Sequence, residues 1–123
     1  MSGCHGSVET DDGVPRVHVR YLGDREPESV AFIEHGIEEE GVSWVVQSGF
    51  EDDAVTIAHE AAVTSSLDIG VCVTANSRAV VHHKRLADND PIFDVSDAAP
   101  ERARRLGSNA ARLAKGTPLK PIL

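Results

Sequence analysis

The sequence predicts a small three-layer α/β domain, a mostly parallel sheet with helices on both faces. Three observations carry that expectation. Strand-like and helix-like segments alternate from residue 16 onward in the order β-α-β-α-β-β-(β)-α, and the two β-α-β units imply parallel pairing through right-handed crossovers. Residues 67–74 (LDIGVCVT) form a nearly continuous apolar run of strand length, as in a strand buried on both faces. The chain's 123 residues suffice for one core and not for two.

Residues 1–15 are polar, rich in Gly, Ser and Asp, and lack periodicity, so they read as a disordered acidic leader to a single domain over 16–123. Residues 16–22 (RVHVRYL) alternate polar and apolar side chains and end at Gly23-Asp24, a strand followed by a turn. Pro27 suits the first turn of a helix, and Glu26 and Glu28 match the positive end of its dipole. Val30, Ile33 and Ile37 give that helix one buried stripe up to Gly41, a natural stop. Residues 42–47, rich in Val and carrying the single Trp, predict a second strand broken by Ser48-Gly49.

A second helix over 52–65 carries a stripe of Val55, Ala58 and Ala62, widened by Ala54 and Ala61, small enough to let it lie very close to a sheet. After the apolar strand, Asn76-Ser77 turns the chain into a fourth strand, Ala79-Val80-Val81-His82. A loop with Asp90-Pro91 leads to the short apolar piece Ile92-Phe93. The third helix, over 100–115, turns Ala103, Leu106, Ala110 and Leu113 inward and stops at Gly116 and Pro118. Aromatics are only 4% of the chain, so the core must come from Val, Ile, Leu and Ala.

A formal charge of -8 argues against nonspecific nucleic-acid binding, which needs clustered Lys and Arg. The charge is also divided. Most acids lie within residues 1–60, whereas from Glu101 onward one acid faces Arg102, Arg104, Arg105, Arg112, Lys115 and Lys120. Such polarity favours protein partners with complementary patches, or belongs to solvated helix faces. No apolar stretch nears the roughly 20 residues that span a bilayer, and the first residues lack a basic start and an apolar core, so a cytoplasmic location is expected. Two cysteines, Cys4 and Cys72, make no disulfide framework.

Catalytic signatures are absent. The first strand-to-helix junction, Leu22-Gly23-Asp24-Arg25-Glu26-Pro27, is acidic and unsuited to phosphate, and no nucleophile elbow exists. Burial in a strand would leave Cys72 inert. His82 and His83 point to opposite faces of a strand and so cannot share one metal ion; one semi-buried and one exposed imidazole are expected. Glu38-Glu39-Glu40 stands out, because three carboxylates at a helix C-terminus oppose its dipole. Ile37 faces the core, which turns Glu39 outward, within reach of a divalent cation or a basic partner, or simply of solvent.

Four stretches in this order are distinctive: Gly36-Ile37-Glu38-Glu39-Glu40-Gly41; Ala61-Ala62 with Ser65-Ser66 and Ile69-Gly70-Val71; Val80-Val81-His82-His83-Lys84; and Gly107-x-Asn109-Ala110-Ala111-Arg112-Leu113-x-Lys115-Gly116. Together, over residues 30–119, they resemble the dehydratase medium-subunit family. That family holds medium subunits of coenzyme-B12-dependent diol and glycerol dehydratases and small subunits of their reactivating factors. The short connection over 84–93 and the VHHK sequence resemble the reactivase branch; a dehydratase medium subunit is the alternative. Gly23-Asp24-Arg25-Glu26-Pro27-Glu28 and the acidic leader depart from the family's pattern.

The resemblance implies a non-catalytic, chaperone-like subunit of a hetero-oligomer. Its partners would be a large reactivase subunit, an Hsp70-like and actin-like ATPase that holds ADP or ATP, and the dehydratase large subunit, from which damaged cobalamin is released. It would bind no cofactor alone. The family's middle carboxylate in GIEEEG approaches a divalent metal held mainly by the large subunit, a role that carries onto Glu39 with Mg²⁺ at the interface. Glu38, Glu40 and Arg112 are the other expected partner contacts, and Arg112 is equally suited to capping its own helix.

Overall fold

Alternation at the start of the domain produces β1 (Arg16–Leu22), which buries Val17 and Val19 on one face of the sheet and sends His18 and Arg20 to the other. The computed structural model describes residues 13–122, so the expected leader, but for residues 13–15, lies outside the described residues, as does Cys4. After β1 come α1 (Glu28–Glu39), β2 (Ser43–Phe50), α2 (Ala54–Thr64), β3 (Ile69–Val73), β4 (Ala79–His83), β5 (Phe93–Val95) and α3 (Pro100–Lys115).

The sheet runs β2-β1-β3-β4-β5. β1 pairs in parallel with β2 and β3, and β4 is antiparallel to both of its neighbours, so only β4 is reversed. One face carries α1 and α3 over Val17, Val19, Ile69, Val71, Val73 and Val81. The other carries α2, whose Ala54, Ile57 and Ala58 cover Cys72 and Val80. The expected three layers are present, and β3 is buried along its whole length.

Two local expectations change. Ser48-Gly49 does not end β2 but makes a bulge: Gln47 pairs with Arg20 and Phe50 with Leu22, and Gly49 takes a φ of 91° that a side chain would strain. The extra residue brings the Phe50 ring under Arg20, whose guanidinium carbon lies 4.3 Å from its centroid. In α2, Ala54, Ala58, Ala61 and Ala62 are buried as expected, but Ile57 takes the place of Val55, which is only partly covered, so the stripe is shifted by about 30°. The side chain of Asp53 caps this helix by accepting from Val55 and Thr56 N–H.

The close approach expected of α2 occurs at Gly70 of β3. A Cβ there would lie 2.7 Å from Ala61 Cβ and nearer still to α2 backbone, so no larger residue fits without lifting the helix. At the far end of this layer Ser65 donates to Arg16 C=O at 2.6 Å and accepts from Leu67 N–H, fixing the turn into β3.

Candidate functional site

The two signature stretches farthest apart in sequence meet where α1 crosses α3. Both helices are bare at the crossing: a Cβ on Gly36 would stand 2.6 Å from Ser108 N, and one on Gly107 2.8 Å from the carbonyl carbon of Ile33. Backbone therefore lies on backbone, and the C-terminal turn of α1 sits against the cationic side of α3.

That placement explains the third carboxylate. Glu40 is nine-tenths covered, and it accepts from Ser108 Oγ at 2.6 Å, Arg112 Nε at 3.0 Å and Lys115 Nζ at 3.2 Å. Lys115 also donates to the Glu40 backbone carbonyl at 2.9 Å, satisfying an orphan acceptor of the helix end. The Ser108 hydrogen bond, then those from Arg112 and Lys115, outweigh partial burial and hold the carboxyl at about 2. The charge polarity of the sequence is in part self-complementary, since the acids of α1 meet the bases of α3 within one chain.

Arg112 and Asn109 tie the following tail to the same place. Gly116 ends α3 in the left-handed conformation, at φ 75°, and the chain doubles back. Fully buried Asn109 donates to Lys120 C=O at 2.8 Å and accepts from its N–H at 2.7 Å, as a neighbouring strand would. Arg112 donates to Pro118 C=O at 2.8 Å and Arg105 to Pro121 C=O at 3.0 Å. Arg112 thus joins α1 to the tail through Glu40 and Pro118.

Glu39 differs from its neighbour in being open to solvent. Its side chain is 36% exposed and faces Arg104, which donates from Nε at 2.7 Å and from a second guanidinium nitrogen to the same oxygen. Glu38 is exposed beside it. With Phe32, His35, Glu101 and Arg104 these two carboxylates line an open groove between α1 and the first turns of α3. Among the described residues no group of three His, Cys, Asp or Glu side chains is arranged to hold a metal.

The remaining candidates have structural roles. Cys72 is fully buried and burial pushes its thiol up to about 12, so no thiolate is available near neutral pH. His82 is completely buried and His83 only partly covered, one step more buried than expected in each case. His83 N–H donates to His82 Nδ1 at 2.9 Å, which leaves Nε2 to donate to Asp88 C=O at 3.1 Å and hold the loop after β4. Sequence reading missed Arg104, Ser108 and Lys120. A usable signal was present: Gly107-Ser108-Asn109 inside an amphipathic helix makes sense where that turn meets another backbone.

The model of the family described as dehydratase medium subunit matches residues 14–120. The chain is 40% identical over 86 residues to the propanediol dehydratase-reactivating factor small subunit of Citrobacter freundii, covering 69% of this chain and 73% of the relative. It is 36% identical over 88 residues to the diol dehydratase-reactivating factor small subunit of Klebsiella michiganensis, covering 71% and 70%. Among solved structures it is similar, at a TM-score of 0.75 and 28% identity, to a chain of a diol dehydratase-reactivating factor complexed with ADP and Mg²⁺, covering 88% of this chain and 99% of that one. A glycerol dehydratase reactivase chain gives the same TM-score and identity, covering 89% and 99%.

Proposed function

The chain belongs to the dehydratase medium subunit family, and from that premise we propose that it is the small subunit of a reactivating factor for a diol or glycerol dehydratase. It is a non-catalytic subunit of a hetero-oligomer. Its large partner binds the nucleotide and carries the ATPase, and together they dock to the dehydratase so that damaged cobalamin leaves and intact coenzyme enters. Its place of work is the cytoplasm, with its dehydratase, including where that enzyme is enclosed in a bacterial microcompartment.

One observation carries the docking part of this reading. Most of the distinctive sequence is used inside the fold: Gly36 and Gly107 at the helix crossing, Gly70 under α2, Ser65 and His82 in turns, Asn109 on the tail, and Glu40 with Arg112 and Lys115. Glu39 remains outside, on a groove rim, fixed in place by a scaffold that nothing in the groove itself requires. A carboxylate presented at the rim of an open groove suits recognition, because it is already partly desolvated and reachable by a partner. Glu38 flanks it and adds negative charge.

Glu39 is the residue that meets a divalent cation held mainly by the large subunit. Such an ion supplies a bridge between two chains; this chain contributes a single oxygen ligand and the groove that admits it. Glu39→Gln keeps the shape and removes the charge. Association with the large subunit is expected to weaken about tenfold or more in Mg²⁺ and to change little in chelator. Unchanged association in Mg²⁺ would remove Glu39 from the interface, and equal weakening in both conditions would replace the ion by a basic side chain. ATP hydrolysis and recovery of inactivated dehydratase by the purified pair test the assignment as a whole, and glycerol dehydration by the pair would contradict it.

A further inference from the structure

Arg104 stands between two carboxylates. Two of its nitrogens donate to Glu39, while Nη1 lies 3.8 Å from Glu101 Oε1, one turn back on its own helix. The first pair is made and the second only approached. All three side chains are at the surface of the same groove, with Glu39 36%, Arg104 49% and Glu101 61% exposed. A guanidinium so exposed changes rotamer far faster than proteins associate.

Building on Glu39 as the docking carboxylate, we propose that Arg104 is its resident counter-ion and hands it to the partner-held divalent cation by moving to Glu101. Both Arg104 donors bear on one oxygen of Glu39, so a divalent cation entering there meets a positive charge a few ångströms away. The repulsion is relieved only if the guanidinium leaves. Glu101 already accepts from Arg105 Nε on Oε2 at 3.1 Å, and its Oε1, the oxygen that Arg104 approaches, receives the arriving guanidinium. Exposed ion pairs are weak and interchangeable, so the exchange is easily reversed.

On the side lined by Phe32 and His35, Glu38, Glu39 and Glu101 outnumber Arg104, which favours approach of a cation from that side, whereas Arg105 and Lys120 border the other. In the free subunit the resident arginine neutralises Glu39 until the partner's cation arrives. Arg104 thus competes with the cation for Glu39, and Glu101 sets that competition by offering Arg104 its Oε1 while Arg105 stays on Oε2.

The test is a double-mutant cycle on the full chain, measured as affinity for the large subunit in Mg²⁺ and in chelator. Arg104→Gln removes the competitor and is expected to tighten association about threefold. Glu101→Gln removes the receiving carboxylate, leaves Arg104 on Glu39, and is expected to weaken it about threefold. The double variant is expected to match Arg104→Gln alone, and the opposite shifts should vanish in chelator. Both substitutions are at exposed positions, and equal unfolding midpoints establish that folding is intact. If the two single variants shift affinity in the same direction, or neither shifts it while Glu39→Gln weakens binding, the exchange is overturned and Glu39 keeps its assignment. If Glu39→Gln has no effect, the assignment of Glu39 falls and the exchange with it.

Discussion

Gly107→Ala separates two accounts of α3 that differ in sign. By helix propensity alone, alanine in place of an interior glycine stabilises by about 1 kcal/mol. At the crossing with α1, however, the new Cβ would stand 2.8 Å from the carbonyl carbon of Ile33 and 2.9 Å from its Cα, where ordinary contact begins at 3.4 Å. Those atoms are backbone and cannot rotate aside. The Ile33 carbonyl oxygen would be nearer still, so the helices must part by more than an ångström, which loosens Ile33, Ile37, Leu106 and Ala110, all fully buried. Overpacking of this kind costs about 1–3 kcal/mol, and rigid backbone on both sides puts it at the upper end. Net of propensity, a destabilisation of about 2 kcal/mol is expected, or roughly 10 °C in Tm for a domain of this size. Urea unfolding followed by circular dichroism measures it. A second variant checks the cause: Gly36→Ala forces the same separation, so the double variant should cost less than the sum of the singles. A Gly107→Ala protein as stable as the parent would refute backbone-to-backbone packing.

The Glu40 carboxyl is depressed in the folded state, so its stabilisation is present above its unfolded value and lost as pH falls from about 4.5 toward about 2. Glu40→Ala should therefore cost about 2 kcal/mol at pH 7 and progressively less below about pH 4, with equal loss at all pH values refuting the ion-pair account. Asn109→Ala removes both clamps on Lys120 and should speed tryptic cleavage after Lys115 several-fold while α3 keeps its helicity, as read by mass spectrometry of timed digests. Unchanged cleavage would mean that Arg105 and Arg112 hold the tail unaided.

The layers were legible because they follow from local pattern. Residues 69–73 are apolar on both faces, Val17 and Val19 alternate with His18 and Arg20, and the third helix has both a start and a stop in its own sequence. The bulge at Gly49 was misread because glycine both ends strands and permits φ values that continue them; only the pairing partner decides. The site was half legible. Outward orientation of Glu39 follows from helical geometry relative to Ile37, but the contrast between Glu39 and Glu40 does not. That contrast is set by Ser108, Arg112 and Lys115, some seventy residues away, and no spacing rule within α1 refers to them. The resemblance joined the two stretches before the contacts did, and the crossing of Gly36 with Gly107 gives the physical reason that they occur together.

The crossing also sets when the groove can exist. α1 leaves the ribosome early, while the residues that hold Glu39 and Glu40 belong to the last helix and the tail beyond it. Contacts so distant in sequence form late, because the loop they close is long. A nascent or partly folded chain thus has its carboxylates but not their arrangement, and the groove takes shape only as folding finishes.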